Sequence, residues 1–207
     1  MDNKTVTKMV FEKFHIHGGD NLPFSSWLDG ACRTHLAELF GELGYTQGAE
    51  VGVRSGNFSL ELLQNIPELH IKCVDSWAAY AKVSQSRQDK HFEHCKLKLK
   101  EFADKGQVEF IKAPSLEAVA LVPDKSLDFV YIDGRHEFDF VIRDIIEWSR
   151  KVKIGGIVAG HDYYNFYKGG IILAVDAYTR AYNINPWYIT KETQPSFFWV
   201  KDYEDIV

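Results

Sequence analysis

From Gly48 onward, short apolar runs alternate with longer stretches whose apolar residues recur every three or four positions. The runs are Gly48–Val53, His70–Val74, Val108–Ile111, Leu127–Ile132 and Ile157–Ala159. Between them lie helical patterns at Phe58–Asn65, Ser84–Lys105, Leu116–Leu121, Phe138–Val152 and Ile171–Tyr182. Strands that are apolar on both faces, each followed by a helix, predict a largely parallel sheet covered by helices on both sides. Two last runs, Trp187–Thr190 and Ser196–Lys201, are separated only by Lys191–Pro195. That link is too short for a crossover helix, so these strands are expected to form an antiparallel hairpin. The expectation is an α/β fold: a doubly wound, mostly parallel, seven-stranded sheet with a C-terminal antiparallel hairpin.

Upstream, Leu28 to Leu43 carries helical spacing that Gly44 ends. Residues 1–24, which include His15-Ile16-His17-Gly18-Gly19-Asp20, read as an extended or partly helical arm. The chain divides into an arm and helix over 1–44, expected to help form an acceptor site, and a ligand-binding domain over 45–207. Together they form one globular unit. A net charge of -5 lacks the basic excess of a nucleic-acid binder, so no nucleic-acid partner is expected. The alternating run Lys96-Leu97-Lys98-Leu99-Lys100 reads as a solvated helix face. Three scattered cysteines fit a reducing cytoplasm rather than a disulfide framework. No apolar run is long enough to span a membrane and no signal peptide is apparent, so the expected location is cytoplasmic.

The first strand leads into Ala49-Glu50-Val51-Gly52-Val53-Arg54-Ser55-Gly56-Asn57. Glycines there admit a ligand close to backbone, and Ser55 or Asn57 is placed to cap the helix that follows. The spacing Glu-x-Gly-x-x-x-Gly is neither the dinucleotide fingerprint nor the phosphate loop, which needs Gly-Lys-Ser/Thr. A carboxylate at the turn suits a ligand bearing positive charge or hydroxyls. A structural strand–turn–helix reads equally well from this stretch alone.

In an open parallel sheet the ligand lies beyond the C-terminal strand ends. Those ends deliver Asp75-Ser76-Trp77, Ala113-Pro114-Ser115, Asp133-Gly134-Arg135-His136 and Gly160-His161-Asp162-Tyr163. Asp75, just over twenty residues past the glycine turn, is placed to accept from a ribose diol. Trp77 is placed either to flank an adenine or to pack in the core.

The segments Cys73-Val74-Asp75-Ser76-Trp77, Asp128-Phe129-Val130-Tyr131-Ile132-Asp133-Gly134-Arg135-His136 and Gly155-Gly156-Ile157-Val158-Ala159-Gly160-His161-Asp162-Tyr163, with the Glu50 turn, resemble one branch of the class I S-adenosylmethionine-dependent methyltransferases. That branch includes the macrocin- and catechol-type small-molecule O-methyltransferases, and the matches span roughly residues 45–200. The resemblance implies a Rossmann-like sheet and S-adenosylmethionine as cofactor. It implies a cofactor site of Glu50, Gly52, Arg54, Ser55, Gly56, Asp75, Ser76, Trp77, Ser115 and Asp133. It also implies a small-molecule acceptor, with a homo-oligomer allowed.

Some members of that branch hold Mg²⁺ through acidic residues that match Asp133 and Asp162 here. His161 stands where a carboxylate is typical. A divalent metal on Asp133, His161 and Asp162 and a metal-free hydrogen-bond network therefore both remain open. An imidazole also suits Mn, Fe, Ni or Zn better than Mg²⁺. His136 and His161 are the candidates to take a hydroxyl proton, with Asp133 beside them, and His136 is preferred. Tyr163, Tyr164, Phe166 and Tyr167 supply aromatic surface for an acceptor. His91, His94 and Cys95 could share a helix face, but no fourth zinc partner is evident, so a solvated face is expected. The expected function is methyl transfer to a small molecule, most directly at a hydroxyl oxygen. A catalytically silent cofactor-binding relative is the alternative. A nicotinamide-dependent oxidoreductase is disfavoured by the glycine spacing.

Overall fold

The computed structural model describes residues 2–16 and 25–204. His17–Asp20 of the histidine-containing arm lie outside the described residues. Helix α1 (Asn3–Lys13) is followed by β1 (Ser25–Leu28), α2 (Arg33–Glu42) and β2 (Gln47–Val51). The alternating part continues through α3 (Asn57–Asn65), β3 (His70–Asp75), α4 (Gln85–Lys98), α5 (Lys100–Asp104), β4 (Val108–Lys112) and α6 (Ser115–Ala118). It ends with β5 (Leu127–Ile132), α7 (Phe138–Ser149), β6 (Val152–Gly160), α8 (Gly170–Ala181), β7 (Trp187–Thr190) and β8 (Phe197–Val200).

All the strands join one sheet in the order β1-β7-β8-β6-β5-β2-β3-β4. Only β8 runs against its neighbours, pairing antiparallel with β6 and β7 as the short link predicts. The sheet has eight strands rather than seven. The extra one is β1, parallel to β7 with Leu28 opposite Thr190. Leu28 fits the helical spacing of α2, which hides the strand. The helix itself starts only at Arg33, after Gly30 turns the chain at φ +72°.

Side chains alternate across the pleat, so each strand feeds two cores. On one face Ile71, Cys73, Phe129, Tyr131 and Ile157 pack with α1, α2 and α3 through Val6, Val10, Leu36, Phe40 and Leu62. The Phe40 and Phe129 rings stack at 4.4 Å. On the other face Ala49, Val51, Val74, Val130 and Val158 pack with α7 and α8 through Val141, Ile145, Trp148, Ala174 and Val175. Burying large side chains on both faces stabilises the sheet by roughly 1.5–3 kcal/mol each.

The strand order reverses between β2 and β5: β3 and β4 extend to one side of that pair, β6 and β8 to the other. This is the topological switch point, where a ligand crevice forms in open α/β sheets. At the end of β2, Gly52 takes φ +98°. A Cβ there would overlap the Asp133 carbonyl group and Gly134 Cα. The close passage of two strand ends therefore requires a glycine here.

Candidate active site at the strand ends

A cleft of about 880 Å³ opens over this switch point. Its floor is formed by residues at and beyond the ends of β2, β3, β5 and β6. Tyr80, Arg87, Gln88 and His91 line it from α4 and the loop before it, and Tyr164 and Phe166 from the loop after β6. Its size falls in the range of small-molecule sites.

Glu50 lies on the floor at 2 % exposure. It accepts a hydrogen bond from the Ser59 hydroxyl of α3, which also lies 3.3 Å from Cys73 Sγ. Burial pushes its carboxyl up to about 8; the Ser59 bond works against this, and the nearby charge of Asp133 adds to it. Burial thus favours the neutral, protonated form of Glu50.

Asp75 sits beside the turn. Its Oδ2 accepts from the Arg54 backbone N–H and its Oδ1 from that of Trp77, each at 2.8 Å. Each carboxylate oxygen keeps a second lone pair for a ligand hydroxyl. Arg54, at φ +52°, Ser55 and Ser76 also line the cleft. Ser115 lines it too, donating to Asp144 at 2.6 Å and accepting from Trp148 Nε1 at 2.8 Å. Burial pushes the Asp144 carboxyl up to about 6, against the Ser115 bond.

Two residues of the expected cofactor set lie elsewhere. The Trp77 ring is fully buried; its Nε1 donates to the Arg54 carbonyl at 2.8 Å, and it packs on Phe92 at 4.3 Å. It takes the core alternative and does not line the cleft. Gly56 caps α3 in the left-handed region at φ +72°, in place of Ser55 or Asn57. A Cβ on it would lie 2.9 Å from Cys95 Sγ, so this glycine makes room for α4 rather than for a ligand.

The ends of β5 and β6 hold a cluster around Asp162, whose backbone is turned at φ +61°. Asp162 Oδ2 accepts from His136 Nε2 at 2.8 Å. His161 Nδ1 lies 3.2 Å from Asp162 Oδ1 and 3.8 Å from Asp133 Oδ1. The 3.2 Å approach does not meet hydrogen-bond geometry, so Oδ1 is buried without a hydrogen-bond partner among the described residues. Burial opposes ionisation of Asp162, but the two histidines hold its carboxyl well below the usual range. Burial pushes Asp133 up to about 6; His161 counters this and the charge of Asp162 reinforces it. Burial disfavours a charged His161, yet Asp162 and Asp133 outweigh it and raise its pKa.

The atoms that converge well enough for a metal ion belong to Asp133, His136 and Asp162, all within 4.8 Å of one another. This trio differs from the expected one in one member, with His136, which bonds the Asp162 carboxylate, in place of His161. Asp162 Oδ1, buried and without a hydrogen bond among the described residues, fits an ion at this trio. Two carboxylates and one imidazole favour Mn, Fe, Co or Zn over Mg²⁺.

Some cleft-lining positions escaped the sequence reading. Arg33 reaches the cleft from the start of α2, and Gln194 from the β7–β8 link; no motif surrounds either. His91 is not on a simple solvated face. It lines the cleft with Nδ1 2.8 Å from Ser55 Oγ, while Cys95 of the same group is fully buried. Burial and the charges of Arg54 and Arg87 hold the His91 pKa below its usual value. Of the aromatic quartet, Tyr164 and Phe166 line the cleft, whereas Tyr163 is buried with its hydroxyl on Asp176 at 2.7 Å. No residue of α1 lines the cleft. No helix among the described residues is long and apolar enough to cross a membrane.

Comparison with known proteins agrees with this geometry. A family model described as a methyltransferase domain matches residues 49–163, more than half of the chain. No curated protein matches in sequence. Among solved structures, an O-methyltransferase from Bacillus cereus in complex with SAH is 12 % identical with a TM-score of 0.61, covering 97 % of this chain and 92 % of that one. The O-methyltransferase TomG from Streptomyces achromogenes, in complex with SAM, is 13 % identical with a TM-score of 0.60, covering 97 % and 91 %. Spermidine synthase from Thermotoga maritima is 15 % identical with a TM-score of 0.60, covering 82 % and 58 %. Likeness at these identities speaks for the fold, which hosts more than one reaction. The family match over residues 49–163, on a sheet with its cleft at the switch point, places this chain in the methyltransferase-domain family, with the class I fold of the S-adenosylmethionine-dependent enzymes.

Proposed function

We propose that this protein transfers the methyl group of S-adenosylmethionine to a hydroxyl oxygen of a small-molecule acceptor. The observation that carries this reading is the placement of two unlike stations in one cleft. The buried Glu50, with the Asp75 carboxylate near it, suits the amino-acid end and ribose of the cofactor. The His136–Asp162 pair suits removal of a proton from the acceptor. Gly52, Arg54, Ser55, Ser76, Ser115 and Asp133 complete the cofactor side.

In this reading the acceptor oxygen attacks the sulfonium methyl carbon, a C–O bond forms, and the C–S bond breaks to leave a neutral thioether. The hydroxyl proton passes to His136. Asp162 Oδ2 accepts from Nε2, which assigns the neutral ring its Nε2–H tautomer and leaves Nδ1 as the basic nitrogen. The ionised Asp162 then stabilises the imidazolium, as a carboxylate does behind other catalytic histidines. Most of the acceleration comes from holding oxygen, methyl and sulfur in line. Tyr164 and Phe166 offer a planar acceptor an aromatic wall.

A metal-assisted variant is favoured by one observation, the convergence of ligand atoms of Asp133, His136 and Asp162 within 4.8 Å, with Asp162 Oδ1 buried and without a hydrogen bond among the described residues. Asp133, His136 and Asp162 would hold a divalent cation there, which would supply Lewis-acid activation of the acceptor hydroxyl. Cobalt(II) is expected to raise the melting temperature and give visible absorption bands, both lost in Asp162→Asn. No spectral change at millimolar cobalt would leave the metal-free network as the working site. The function itself is tested with methyl-labelled S-adenosylmethionine and a panel of phenols, catechols and sugar hydroxyls. Label is expected in an ether product, and its transfer to nitrogen alone would contradict the oxygen assignment.

A further inference from the structure

Arg33 begins α2, outside every motif of the sheet. Its backbone N–H donates to Glu192 Oε1 at 2.9 Å, and the same oxygen accepts from the Thr190 hydroxyl at 2.8 Å. The start of α2 is thus tied to the end of β7, and the side chain is directed from a fixed point. The guanidinium lines the cleft, 5.5 Å over the Phe58 ring. Among the described residues it makes no ion pair and donates no hydrogen bond. Its positive charge nonetheless acts on Glu50, Asp133 and His161. A partly buried cation with five unused donors, set in a cleft, is a recognition group awaiting an anion.

Glu50 sets which anion. A buried carboxylate and an unpaired guanidinium that share one end of a cleft are complementary to a zwitterion. The methionine end of S-adenosylmethionine carries one ammonium and one carboxylate on the same carbon. The arginine of the glycine turn, Arg54, instead acts together with Arg87 on His91. We propose that Arg33 binds the cofactor's α-carboxylate while Glu50 receives its α-ammonium, so that the site selects the intact amino-acid tail over a decarboxylated one. A guanidinium meets a carboxylate through two parallel hydrogen bonds, which a lysine cannot reproduce. The inference rests on the cofactor reading above.

Titration of three ligands into wild type, Arg33→Ala and Arg33→Lys separates the possibilities. The ligands are S-adenosylhomocysteine, its decarboxylated analogue S-adenosyl-3-thiopropylamine, and 5′-methylthioadenosine, which lacks the whole amino-acid tail. Arg33→Ala is expected to weaken S-adenosylhomocysteine about 10–100-fold and to change the other two less than about twofold. Arg33→Lys is expected to recover part of the loss. Retained 5′-methylthioadenosine binding certifies that the variant is folded. Unchanged S-adenosylhomocysteine affinity in Arg33→Ala, or equal weakening of all three ligands, would overturn the assignment. Failure of wild type to bind any of the three would overturn the cofactor reading and the inference with it.

Discussion

Glu50→Gln is expected to stabilise the empty protein at alkaline pH and to weaken its hold on the cofactor. The folded carboxyl titrates at about 8, above the ordinary value of 4.5. Below pH 4.5 the group is protonated in both folded and unfolded chains, so it adds no pH dependence. Between pH 4.5 and 8 the unfolded chain releases the proton and the folded chain keeps it. Stability therefore falls as pH rises through this window, by roughly 3 kcal/mol by pH 7. Glutamine cannot ionise, so the melting temperatures of wild type and variant are expected to diverge from pH 5 to pH 8, with the variant higher. At pH 8, S-adenosylhomocysteine should bind the variant about 10–100-fold more weakly, because a buried neutral amide replaces the partner of its ammonium. Parallel melting curves across this range would show that Glu50 is ionised in the empty protein and would remove it as a proton-coupled ligand.

His136→Ala is expected to lower kcat about 1000-fold, within the range attributed to a positioned general base. S-adenosylhomocysteine affinity should change less than about twofold, because the proposed function assigns His136, in the loop after β5, to the acceptor rather than the cofactor. The ring edge packs against Phe166 at 5.4 Å, so Phe166 mobility is the structural control. His136→Gln keeps a hydrogen bond toward Asp162 and should be nearly as inactive as alanine if proton removal is the lost function. Substantial activity in His136→Gln would assign His136 a positioning role and pass the base to another group.

The parts legible in the sequence are those set by local chemistry. Strands β5 and β7 match their apolar runs to the residue, because buried parallel strands admit few polar positions. The polar strand ends at Glu50, Asp75, Ser115, Asp133, His136, His161 and Asp162 all line the cleft, because topology alone brings them there. What was not legible depends on distant partners. Strand β1 is four residues long and exists only by pairing with β7, some 160 positions away. Arg33 enters the site because Glu192 and Thr190 anchor the start of its helix. Trp77 and Gly56 sit in the right motif but face α4, whose position no spacing rule encodes. Likewise the Asp162 carboxylate reaches His136 because of a backbone angle, not a residue pattern.

The account turns on whether the Glu50 cleft takes the cofactor as a zwitterion. Calorimetric titration of S-adenosylhomocysteine at pH 7, in two buffers of different ionisation enthalpy, tests that most directly. The prediction is one site per chain with release of close to one proton, as the ligand's ammonium displaces the proton held by Glu50. Absence of binding heat and of any thermal shift at millimolar ligand, or binding with no proton release, would contradict it.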